Sequence, residues 1–229
     1  MSRPDLNIWH LIARGGLLPN DKYALSLLLD KNKKGWLPVH LAKNTQSAVW
    51  LYNKTREQGV IHEDIVNLSL INNAQSIQTK YDKDLTDFFL EQGFEPTDAK
   101  KAAIPPSTQS RIDLSYYWIS LCDFNIFKNS NSLENNPLYI ALCYSNSYFL
   151  FALVDILKND LKESNFKLIQ EKLNQYSDCI GSVYYIADRA FQLQQIIKQF
   201  FNIEIPISNN TINGMNVMTN NAIENLEGF

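Results

Sequence analysis

The stretch Lys34-Gly35-Trp36-Leu37-Pro38-Val39-His40-Leu41-Ala42-Lys43 decides how the rest of the chain is read, because its order of turn, Pro, aliphatic, His, aliphatic, Ala recurs. Asn7-Ile8-Trp9-His10-Leu11-Ile12-Ala13 carries the same order of aliphatic, His and small residues. Asn136-Pro137-Leu138-Tyr139-Ile140-Ala141 repeats it with Tyr for His, and Ser182-Val183-Tyr184-Tyr185-Ile186-Ala187 is a weaker fourth copy. Self-similarity at a fixed period marks repeat architectures, whose units bury their apolar faces only against neighbours.

Positions 10, 40, 139 and 185 are separated by 30, 99 and 46 residues. A second landmark, a helix running into Gly and then an acidic residue, stands at Leu85-Thr86-Asp87-Phe88-Phe89-Leu90-Glu91-Gln92-Gly93-Phe94-Glu95-Pro96, and the Glu57-Gln58-Gly59-Val60 stop precedes it by 34 residues. The quoted stretch resembles the Thr-Pro-Leu-His-x-Ala signature of the ankyrin repeat family, whose unit is a turn and two helices over about 33 residues. The resemblance implies an all-α, ankyrin-like α-solenoid of helix-turn-helix repeats with short finger turns, diverged in the middle. The array is expected over 1–207 in five to six repeats, irregular over 98–136 and with an insertion near 160–178. A polar, flexible tail follows over 208–229.

Within this frame Asn32 to Trp36 is a finger turn, with Gly35 supplying positive φ and Pro38 opening the first helix. Ala42 to Asn44 falls on that helix, and Ala48 to Glu57 is its partner, with Val49, Leu51 and Tyr52 on the apolar side. In the first repeat Asp21 to Asp30 is the second helix, burying Ala24, Leu25, Leu27 and Leu28. Further helices are expected over Asp64–Leu70, Asp84–Gln92, Ile112–Phe124, Tyr148–Leu157, Phe166–Tyr176 and Gln192–Phe201, with a link at Pro105-Pro106.

The 229 residues carry a net charge of -3 and are 45% hydrophobic, enough for a continuous core and no general field for nucleic acid. No apolar run is long enough to span a membrane. Cys122, Cys143 and Cys179 have no metal or disulfide pattern and read as reduced thiols. Of three histidines, His10 and His40 sit where the resemblance implies a structural ring, and His62 beside Glu63 and Asp64 reads as a helix cap region. No nucleotide-binding glycine pattern occurs. The chain is therefore expected to hold no catalytic centre, metal or cofactor.

What remains is surface. The resemblance places partner-binding positions on the finger tips and first helices, here Lys33, Lys34, Trp36, Lys43, Asn44, Asn135, Tyr144 and Arg189. Trp36 is the sharpest, as an interface anchor or as a ring packed on Trp9 or a neighbouring turn. The expected function is a protein-protein interaction adaptor, a monomer or weak dimer, without nucleic acid. The Asn, Ile and Lys usage is that of an AT-rich genome, and the ending Glu224-Asn225-Leu226-Glu227-Gly228-Phe229 is similar to acidic secretion signals of bacterial effectors. The location is then cytoplasmic, or a host cytosol reached by a non-classical route. Two alternatives stand beside the adaptor: a small enzyme or modifying toxin with its site in 98–136 around Cys122 and Asp123, and a self-associating protein paired through Tyr116-Tyr117-Trp118.

Overall fold

A computed structural model describes residues 6–18, 23–75, 81–128, 135–159, 163–177 and 189–195. The described residues are helical, with no strand among them. The chain divides into two compact units, 1–159 and 160–229. The Ser182–Ala187 copy, Cys179 and the tail from 208 lie outside the described residues.

The first unit opens with α1 (Ile8–Gly15), where Asn7 accepts from the His10 backbone and the His10 ring accepts from the Asn7 N–H, a reciprocal cap. Gly16 ends it in the left-handed region at φ 65°. Gly15 is required for a different reason. A Cβ there would stand 2.9 Å from Ala102 Cβ and 3.0 Å from Phe89, so α1 lies directly against α4 (Lys83–Glu91) and α5 (Pro96–Ala103).

The second helix expected over Asp21–Asp30 is not formed in its described part. A 3-10 turn, Leu25–Leu29, takes its place; Leu28 is fully buried, while Ala24, Leu25 and Leu29 are exposed and Leu27 is half-buried. The carbonyls an α-helix would consume are committed elsewhere: the Trp9 indole donates to Ala24 O and Asn7 Nδ2 to Leu27 O. Tertiary bonds outcompete the local ladder, and Ala24 stays extended.

Pro38–Leu41 is likewise a 3-10 turn, and Ala42 to Asn44 do not continue it. Ala42 is extended, the Lys43 N–H donates to Ala13 O of α1, and Asn44 takes the extended conformation needed to cap α2 (Thr45–Glu57). On α2 the inward stripe is Ala48, Leu51 and Thr55, at helical spacing, and Val49 points to solvent.

α3 (His62–Gln75) runs through the unit, packing on the Pro38–Leu41 turn, on α6 (Thr108–Leu121) and on α8 (Pro137–Cys143). The 98–136 region is largely helical where described: α5, α6 and α7 (Asn125–Lys128), with Pro105-Pro106 joining α5 to α6. α6 lies along α9 (Ser147–Asn159), joined by the Tyr116 hydroxyl donating to Asp155 and the Arg111 guanidinium over the Tyr148 ring.

One side-chain device recurs four times. Asn7, Asn44, Asn136 and Asn146 each accept from the first turn of the helix they open, and each amide reaches a carbonyl of an earlier or later element. Their Nδ2 groups donate to Leu27 O, Gly16 O, Phe127 O and the Asn73 and Ala74 carbonyls. Asp caps a helix as well as Asn does, but only Asn also carries a donor.

In the second unit α10 (Glu163–Ser177) buries Ile169, Leu173 and Tyr176. A helical segment at 189–195 buries Ala190 and Leu193, and its Gln194 amide donates to Asn174 Oδ1 at 2.8 Å.

Candidate functional site

The finger turn at 32–36 is tied by one residue. Asn32 Oδ1 accepts from the backbone of Lys34 and Trp36, Asn32 N–H donates to Trp36 O at 2.9 Å, and Gly35 sits at φ 77°. His10 Nε2 meets the same Trp36 carbonyl at 2.9 Å, so the finger is braced by α1. A carbonyl only accepts, so Nε2 donates to Trp36 O, while Nδ1 lies 3.3 Å from Asn7 N and 2.7 Å from Asn7 Oδ1. His40 repeats half of the arrangement thirty residues on: its Nδ1 accepts from Leu37 N–H at 3.0 Å, while its buried Nε2 makes no hydrogen bond among the described residues. Both rings are buried, and burial pushes His40 down to about 4.

Trp36 is half-buried with the Lys34 ammonium 4.9 Å from its ring centre, and the pairing on Trp9 considered from the sequence does not occur. Trp9 stacks instead on Trp50 at 5.4 Å. Behind the finger opens a cleft of about 350 Å³, lined by Lys34, Trp36, Lys43, Ser69, Arg111 and Tyr148 among others. Arg14 also lines it, and no Asp or Glu of the described residues does. Asp82, outside the lining, pairs with Arg14 at 3.4 Å. Lys43 Nζ donates to Ala102 O at 2.7 Å; burial pushes its ammonium down to about 8 against the pull of Asp82. Arg111 is oriented by its Nε–H donating to Pro106 O and by the Tyr148 face.

The structure thus gathers Lys34, Trp36 and Lys43 at one cleft and leaves Lys33 exposed on the finger. Asn44 serves as a clamp. Asn135 lines a separate cleft with His62 and Asp123, and Tyr144 is exposed with its hydroxyl accepting from Gln75. Arg189 belongs to the second unit. Ser69, Arg111 and Tyr148 were not singled out from the sequence, because only tertiary packing of α3, α6 and α9 brings them together.

His62 opens α3, at the helix start where the sequence places it. Its ring joins the Tyr52 hydroxyl at 2.8 Å to the Leu121 carbonyl at 2.9 Å, tying α2 to α6. Burial and the neighbouring Asp123 push the Cys122 thiol up to about 12, which keeps it protonated at neutral pH. Tyr116 and Trp118, expected on a self-pairing face, turn inward on α6: Trp118 is buried and Tyr116 is held by Asp155. No helix of the described residues is long and apolar enough to cross a membrane. The chain matches no protein-family model, no curated protein and no solved structure.

Proposed function

We propose that the chain is a binding module of ankyrin-like repeats that captures another protein through the 32–36 finger and the cleft behind it. The observation that carries this reading is Trp36: a large ring left half-exposed beside Lys34, on a turn held rigid by His10 and Asn32. A rigid aromatic loses little entropy on binding, and such anchors dominate interface energetics. The recurrence of the histidine arrangement at 10 and 40 supports the repeat reading.

Affinity capture from a eukaryotic cell lysate, compared between the native chain and Trp36→Ala, tests it. A partner retained by the native protein and weakened at least about tenfold by the substitution, with unchanged melting, supports the anchor. Equal retention by folded Trp36→Ala removes it.

A further inference from the structure

The finger carries three lysines that the fold leaves unused. Lys31, Lys33 and Lys34 are exposed on one short turn, and none of them forms an ion pair among the described residues. Asp30, the acid at the base of the finger, receives the Asn7 amide at 3.3 Å instead. The Lys34 ammonium lies over the Trp36 ring, which sets a cation beside the half-exposed aromatic surface. The cleft wall behind that ring offers hydrogen-bonding groups of both kinds. Ser69, Asn72 and Asn73 line it from α3. Asn72 Nδ2 donates to His40 O and Asn73 Oδ1 accepts from Ser115 Oγ, so Asn72 Oδ1 and Asn73 Nδ2 have no partner among the described residues. The buried Ser69 hydroxyl has none either.

Resting on the reading of finger and cleft as one binding surface, we propose that its occupant is an acidic peptide segment of the partner, with an apolar side chain against Trp36 and flanking Asp or Glu residues on Lys31, Lys33 and Lys34. Charge complementarity sets the sign of the segment, and the ring supplies the anchor. Exposed lysines at a rim tune association and partner choice, while a buried aromatic contact holds the complex. The cleft wall favours a peptide over other anions. Each residue of a peptide main chain brings one N–H donor and one C=O acceptor, which Asn72 Oδ1 and Asn73 Nδ2 can meet in turn. The phosphates of a nucleic acid or of a bilayer surface bring acceptors alone and leave Asn72 Oδ1 unpaired. A net charge of -3 also repels an extended polyanion, whereas a short acidic segment meets only the local lysines.

A random peptide library displayed on phage is selected against the full chain, and the enriched peptides are synthesised with a fluorophore and titrated by fluorescence polarisation. The enriched sequences are expected to carry several Asp or Glu around one apolar residue. The combined variant Lys31→Gln, Lys33→Gln and Lys34→Gln should weaken them at least about threefold with an unchanged melting temperature. Raising NaCl from about 50 to about 300 mM should weaken native binding and change the combined variant much less, which tests the same charges in the native chain without any substitution. No enriched peptide, enrichment without acidic residues, undiminished affinity for the combined variant, or native binding indifferent to salt overturns the proposal. Lysine-dependent binding of an RNA oligonucleotide or of phosphatidylserine vesicles more tightly than any enriched peptide overturns it too. The two readings fail separately: peptides that need Trp36 but ignore the lysines keep the anchor and end the acidic segment, whereas peptides that bind folded Trp36→Ala as well as the native chain end both.

Discussion

His10 Nε2 lies 2.9 Å from the carbonyl oxygen of Trp36, twenty-six positions further along the chain. One imidazole thereby ties the start of α1 to the tip of the next finger. His10→Ala leaves the Asn7 N–H without its ring acceptor and the Trp36 carbonyl with the Asn32 bond alone. The expected cost is about 1–3 kcal/mol in urea melts. Amide exchange at Gly35 and Trp36 should accelerate more than at Leu51, in the core of α2; uniform acceleration contradicts a local brace.

Acid should find His40. Its folded value is near 4 and its unfolded value near 6.5. Above pH 6.5 both states are neutral and the histidine's contribution is fully present. Between 6.5 and 4 the unfolded chain takes up a proton that the folded chain refuses, so stability falls as pH falls. The loss is on the order of 3 kcal/mol over that window. His40→Gln should flatten the profile there, and an unchanged slope rejects the assignment.

The Asn146 clamp gives a sharper chemical test. Asn146→Asp keeps the acceptor for Phe149 N–H but exchanges the donor facing Asn73 O and Ala74 O for a carboxylate oxygen. Charge against buried carbonyls should cost at least about 2 kcal/mol. Asn53→Asp, on the exposed side of α2, should stay within about 0.5 kcal/mol.

Two neighbouring leucines distinguish the 3-10 turn from the helix expected there. Leu28→Ala removes a fully buried side chain and should cost about 2–5 kcal/mol, whereas Leu25→Ala, 41% exposed, should cost under about 1 kcal/mol. Comparable losses at both positions would place a continuous amphipathic helix in this segment.

Helix existence was legible wherever apolar residues recur at helical spacing. Asp84–Gln92 appears as Lys83–Glu91 and Tyr148–Leu157 as Ser147–Asn159. The finger was legible too, because Asn32, Gly35 and Pro38 are local turn chemistry. Illegible were the features decided by distant partners. Nothing near Ala24 announces that its carbonyl will serve Trp9, and nothing around Ala42 announces that Lys43 N–H will serve Ala13. The cleft followed the same division: Trp36 and Lys34 come from one turn, while Arg111 and Tyr148 reach it from helices far along the sequence.

The asparagine clamps also set an order of assembly. Asn136 reaches Phe127 across nine residues, a loop closed at small entropic cost, while Asn146 must wait for α3, seventy-three residues back. We expect the distant contact to form after the local one, since more loop entropy must be lost before it closes. Damage at Asn136 should therefore slow refolding, and damage at Asn146 should chiefly shorten the lifetime of the folded state. Two chemically identical side chains in the same geometry would then govern opposite arms of the folding kinetics, one the speed of arrival and the other the time before departure.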